Sequence, residues 1–106
     1  MADPFDIFIV SVSWNTGSKN RPVLVLSLDK EKILVFPITT QYEKKSDVIK
    51  ARYCRINNWN NAGLVKPSYI DTGTLIRLPV IAIKNKKPVG KLTVADKKNL
   101  LAFLTK

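Results

Sequence analysis

The sequence predicts a small, mostly β barrel closed by one C-terminal helix. Three observations carry that expectation: strand-like apolar runs recur at short spacing, turn residues separate them, and one convincing helix start occurs, near the end of the chain. Residues 5–12, Phe-Asp-Ile-Phe-Ile-Val-Ser-Val, are an apolar, β-branched-rich run that reads as a first strand. Residues 13–20, Ser-Trp-Asn-Thr-Gly-Ser-Lys-Asn, are polar and centred on Gly17, and read as a mobile loop overhanging the next strand. Residues 23–28 and 33–38 are two apolar runs joined by Asp29-Lys30-Glu31-Lys32, a connection short enough to make them hairpin neighbours. Residues 43–47 are charged and read as a loop or one turn of helix. Further strands are expected at 49–56, 74–78, 80–83 and 90–92. The helix starts at Thr93, whose hydroxyl caps the first turn while Asp96 reaches back, and Leu100, Leu101 and Leu104 form its apolar stripe.

Composition bounds the class of protein. A chain of 106 residues with 45% hydrophobic content suits a single domain, residues 1–106, with one core. Cys54 is the only cysteine and there is no histidine, so neither an intrachain disulfide nor a cysteine- or histidine-based metal site is expected, and a reducing cytoplasm fits. No cofactor is implied. The start of the chain has no signal-peptide pattern, and no apolar run approaches the ~20 residues of a membrane-spanning helix. Eighteen basic and eight acidic residues leave a net charge of +10. The excess is uneven, since residues 51–106 hold eleven Lys or Arg against Asp71 and Asp96 alone. Such a surface favours a polyanionic partner, although any single lysine is equally a solubilising group.

The hairpin places chemistry at one edge. Arg21 precedes its first strand and Thr39 follows its second, so an antiparallel pair brings a guanidinium and a hydroxyl out together. That pairing suits a phosphate, because arginine offers a planar fork of donors and stays charged at any working pH. Pro22 restricts Arg21 toward extended backbone. The obvious phosphate-bearing anion in a cell is nucleic acid. Were it RNA cut without a metal, attack of the ribose 2′-oxygen on the adjacent phosphate would usually draw on histidine for proton transfer, and with none here such catalysis would have to rest on positioning and on stabilising charge on the phosphoryl oxygens. Trp14, Lys19 and Asn20 of the 13–20 loop and Thr40 beside Thr39 are candidate contacts to a base or backbone, through aromatic stacking and ammonium–phosphate pairing. For Trp14 a half-buried strand end is the alternative role. Asn57-Asn58-Trp59-Asn60-Asn61 offers amides and an indole, either for bases or simply for turns.

Several segments, in order, resemble one family. Arg-Pro-Val-Leu-Val-Leu-Ser at 21–27, Phe-Pro-Ile-Thr-Thr at 36–40, Asp-Ile-Phe-Ile-Val at 6–10, Gly-Leu-Val-Lys-Pro-Ser at 63–68 and Val-Gly-Lys-Leu-Thr at 89–93 are similar to the PemK/MazF toxins, over nearly the whole chain. The resemblance implies an SH3-like barrel and a metal-independent, sequence-specific endoribonuclease of a toxin-antitoxin pair. It further implies a homodimer that cuts single-stranded mRNA and is inhibited by an acidic antitoxin. It assigns the catalytic pair to Arg21 and Thr39, and RNA contacts to a later strand, here Thr74 and Arg77. One departure is plain. The family's acidic residue three positions before that later arginine is Thr74 in this chain, and Asp71 in the preceding turn is the only carboxylate near it in sequence. Phe5 also replaces the family's usual glycine before Asp6. The alternative is a binding module on the same barrel, either for nucleic acid or for gyrase, although the Ala102–Lys106 ending lacks the Trp-Gly-Ile tail of the gyrase-directed relative.

Overall fold

The chain curls one antiparallel sheet around a hydrophobic centre and closes it with a C-terminal helix. A computed structural model describes residues 2–14 and 17–105, with backbone alone for residues 12–14 and 18. The strands are β1 (Asp6–Trp14), β2 (Gly17–Leu28), β3 (Lys32–Thr39), β4 (Tyr53–Ile56), β5 (Ser68–Asp71), β6 (Ile76–Pro79) and β7 (Gly90–Lys91), with helices α1 (Asp47–Lys50) and α2 (Val94–Leu104). They pair in the order β4-β5-β3-β2-β1-β7, with β6 added to β3. β3 is the hub. Its first half, Lys32 to Val35, pairs with β6, while Ile38 and Thr39 at its other end pair with β5.

Around the centre of β2 both sheet faces are buried, which is why that stretch reads as a continuous apolar run rather than an alternating one. On one face Ile7, Leu24, Phe36, Ile38, Ile56 and Ile70 pack with Leu100 of α2. On the other, Phe8, Val10, Val23, Val25, Ile33 and Val35 pack with Ile83. Leu24 and its neighbours Val23 and Val25 are all fully buried, pointing to opposite faces. A bulge between Val25 and Ser27 then shifts the alternation, so that Leu28 joins the second face. The β2–β3 turn is closed by Asp29, whose Oδ1 accepts from the backbone N–H groups of Glu31 and Lys32, both at 2.8 Å. Those bonds hold its carboxyl below the ordinary carboxylate range.

Several expected elements differ. Of the expected 13–20 loop, residues 13–14 and 17–20 instead extend β1 and β2, paired as far as Trp14↔Gly17, and residues 15–16 lie outside the described residues. Backbone pairing sustains this extension where its side chains are polar, and composition alone does not report that. Residues 49–56 are not one strand. Ser46 accepts from the Ile49 N–H at 3.3 Å and caps α1, and the chain turns at Ala51 and Arg52 before β4 begins. Residues 80–83 form a 3-10 turn (Val80–Ala82) rather than a strand, since Pro79 has no N–H to donate and the Ile83 N–H bonds back to Val80. β5 was not expected, because Pro67-Ser68 signals a turn and only four residues follow before Thr72.

Two glycines lock the 57–64 segment against β7. Gly63 has φ of +88°, and a Cβ there would collide with the Val89 carbonyl; one at Gly90 would collide with the Ala62 carbonyl. Gly90→Ala is therefore expected to lose about 1–3 kcal/mol through backbone displacement, read as a lower denaturation midpoint. A variant as stable as the parent would mean that the two segments do not press together.

Candidate nucleic-acid interface

The second sheet face changes character along its length. At one end it is the apolar cluster around Phe8 and Val25; following the same alternation along β2 and β3 leads from Val23 to Arg21 and from Val35 through Pro37 to Thr39. The last ladder pair of this hairpin is Val23↔Pro37. Continuing that register by two residues sets Arg21 opposite Thr39, at the end that the short turn predicts.

β5 and β4 extend this surface. Thr39 pairs with Tyr69, Tyr69 with Arg55, and Asp71 with Tyr53. By alternation these side chains share the Arg21 face, whereas Ile70, Cys54 and Ile56 between them point into the core. Arg21 also lies close enough to Tyr53 to act on its phenol. Burial first, then the Asp71 carboxylate, push the Tyr53 hydroxyl up from its ordinary value, with Arg52 and Arg21 opposing. The phenol is thus protonated at neutral pH and carries a proton that it can donate in a hydrogen bond.

Thr39 is oriented by its own turn. Its Oγ1 accepts from the Gln41 N–H at 3.0 Å, so the hydroxyl proton remains for a further acceptor. Asp71 is held from the other side: Oδ1 accepts from the Gly73 N–H at 3.0 Å, and Oδ2 from the Thr74 hydroxyl at 2.9 Å. Thr74, where the sequence pattern lacks a carboxylate, is thus the hydrogen-bond donor to Asp71, which the β4–β5 pairing sets on the Arg21 face.

The three tyrosines of the chain gather beside Thr39. Tyr42 stacks on Tyr69 with centroids 4.3 Å apart and planes 11° apart, and Tyr53 tilts against both at 6.2 and 6.5 Å. The Lys50 ammonium sits 5.0 Å from the Tyr42 centroid. Thr40, Gln41, Glu43, Lys66 and Pro67 complete a shallow cleft of about 370 Å³ against Tyr42 and Tyr69. The sequence reading missed this cluster, since positions 42, 53 and 69 meet only through the pairing of β4 with β5. The signal available was the three tyrosines confined to 42–69 among basic residues.

The remaining candidates divide. Thr40 lines the cleft. Lys19, exposed on β2, has the parity of Arg21 and extends the same face, whereas Asn20 alternates to the opposite one. The Trp14 side chain lies outside the described residues. Arg77 is not brought to Arg21: it pairs with Leu34 on β6 and lines a separate groove with Asp29 and Lys32 at the far end of the hairpin. The first half of the asparagine-rich segment is structural. Asn57 and Asn58 donate their backbone N–H groups to the Asp96 carboxylate, the Asn58 side chain donates to Thr93, and Trp59 packs on the core. Among the described residues, no three His, Cys, Asp or Glu side chains group as a metal site, and no helix is long and apolar enough to cross a membrane.

No protein-family model matches the sequence, and no curated protein matches it. The solved structure of the Mycobacterium tuberculosis toxin MazF-mt6 is similar to this chain with a TM-score of 0.70, over 93% of this chain and 91% of that one, at 22% sequence identity.

Proposed function

We infer that this chain, which has the MazF-type toxin fold, is an endoribonuclease that cuts single-stranded RNA at the Arg21 edge and is paired with an acidic antitoxin. The observation that carries the reading is the register: it sets Arg21 opposite Thr39 on a face that also holds Asp71 and Tyr53. The PemK/MazF resemblance assigns the catalytic pair to the same two residues, and the basic surface suits both RNA and an acidic protein.

In this reading the ribose 2′-oxygen attacks the adjacent phosphorus as the bond from phosphorus to the 5′-oxygen breaks, leaving a 2′,3′-cyclic phosphate. The Arg21 guanidinium takes the charge gathering on the phosphoryl oxygens. Thr39 donates its hydroxyl proton to one of those oxygens and fixes the phosphate in place. Asp71 is the carboxylate available to accept the 2′-hydroxyl proton, and the protonated Tyr53 phenol is the group available to donate to the leaving 5′-oxygen.

Incubating the purified protein with a long unstructured RNA in EDTA, beside Arg21→Ala, tests the reading. Discrete fragments ending in 2′,3′-cyclic phosphate, absent with the variant, are expected. Tight binding without cleavage would replace it with a nucleic-acid-binding module on the same sheet. Thr39→Ala is expected to slow cleavage roughly tenfold or more, less than loss of Arg21, because a neutral donor stabilises developing charge less than a guanidinium; single-turnover rates measure the difference.

A further inference from the structure

We propose that the Tyr42–Tyr69 pair is a base-stacking subsite, which holds one unpaired nucleobase immediately beside the phosphate bound at Arg21 and Thr39. The inference deepens the ribonuclease reading and rests on it for the position of that phosphate.

Tyr69 is the direct cross-strand partner of Thr39, and such partners hold their Cβ atoms about 4.5–5.5 Å apart. A base lying against Tyr69 is therefore within one nucleotide of a phosphate touching Thr39. Tyr42 and Tyr69 are nearly parallel, so together they present a rigid aromatic wall with little rotamer freedom left to lose on binding. Tyr53, tilted against both, braces the wall from the sheet side.

Charge on the same cleft fits a nucleotide better than an apolar ligand. Lys50 lies over Tyr42 and Lys66 lines the opening, each able to hold a flanking phosphate, while Gln41 and Glu43 set an amide and a carboxylate at the edge of the wall. Stacking gives affinity for any base, and those two edge groups give the cleft a means of preferring one. The tyrosines do not serve the core, whose packed residues on this part of the sheet are Ile38, Ile70 and Cys54 on the opposite face.

The test uses a short single-stranded RNA, 2′-O-methylated throughout so that it cannot be cut, with 2-aminopurine at one position at a time. At one position, binding to the parent protein is expected to quench the 2-aminopurine emission by stacking. Tyr69→Leu is expected to restore that emission and to weaken binding about tenfold to a hundredfold, the usual effect of losing one aromatic–base stack, while Tyr69→Phe keeps both. Quenching at no position, quenching that survives Tyr69→Leu, or no binding of the oligonucleotide would overturn the subsite. The quenching is read on the parent protein itself, so a misfolded variant does not decide the matter. The EDTA cleavage assay is independent of it: cleavage without a stacked position overturns the subsite alone, and a stacked position without cleavage overturns the ribonuclease reading alone.

Discussion

Arg21→Ala is expected to lower RNA cleavage by at least about 10²-fold, the usual cost of one donor aimed at developing charge. The loss should tend toward the ~10³–10⁵ that an arginine contributes when it stabilises a transferring phosphoryl group. The large effect follows from how few groups the face offers. With no histidine in the chain, the guanidinium set directly opposite Thr39 by register carries most of the charge stabilisation, and Arg55 lies two strands further along the same row, beyond Tyr69. Stability should change little. Arg21 is half-buried at the polar end of the sheet, and its loss removes only the packing of its aliphatic stem beside Val10. Arg21→Lys separates charge from shape: an ammonium keeps the charge but lacks the two-pronged fork, so cleavage should fall between parent and alanine. Full activity in Arg21→Ala with an unchanged melting temperature would remove the site from this edge.

How far the sequence led to this site depended on how local each signal was. A four-residue connection dictates that 23–28 and 33–38 pair, and that pairing alone brings Arg21 and Thr39 to one edge. The mostly β class and the capped final helix were legible for the same reason, since each rests on residues within one turn or strand. The tyrosine wall was not. Tyr42, Tyr53 and Tyr69 come from three segments, and they meet because β5, a four-residue strand hidden behind Pro67-Ser68, pairs with β3 on one side and β4 on the other. Asp71 was hidden in the same way: it looked like a turn residue, and the strand sets it on the same face as Arg21. The asparagines at 57–61 were open between base contacts and turns, and the turn role is the one observed at Asn57 and Asn58: their backbone N–H groups are engaged by a carboxylate nearly forty residues later in the chain, and nothing local announces that partner.

That carboxylate gives the second large expectation, on stability rather than activity. Asp96 is only 2% exposed, and its two oxygens accept from the Asn57 N–H at 3.0 Å and the Asn58 N–H at 2.8 Å. The Thr93 Oγ1 lies 3.4 Å from its Oδ2 and itself accepts from the Asp96 N–H at 3.2 Å, capping α2. The sequence suggested a reciprocal cap confined to the helix. In the structure the side chain instead ties the start of α2 to the 57–64 segment, and Leu100 one turn on is packed against the same side of the sheet. Asp96→Ala leaves two partly buried N–H groups without their acceptor, each having bonded to a charge. At about 1.5–3 kcal/mol per charged hydrogen bond, the variant should lose roughly 3–5 kcal/mol, a large share of the ~5–15 kcal/mol that holds a domain folded. For a chain of this size that is a fall in melting temperature of more than about 10 °C. Asp96→Asn keeps one acceptor oxygen but turns an amide NH₂ toward the other N–H, so it should recover only part of the loss. Cleavage at low temperature should survive in whatever fraction stays folded, because Asp96 sits on the helix side of the sheet and Arg21 on the other. A melting temperature within about 2 °C of the parent would show that water replaces the carboxylate at no cost, and that packing of Leu100 alone holds α2 in place.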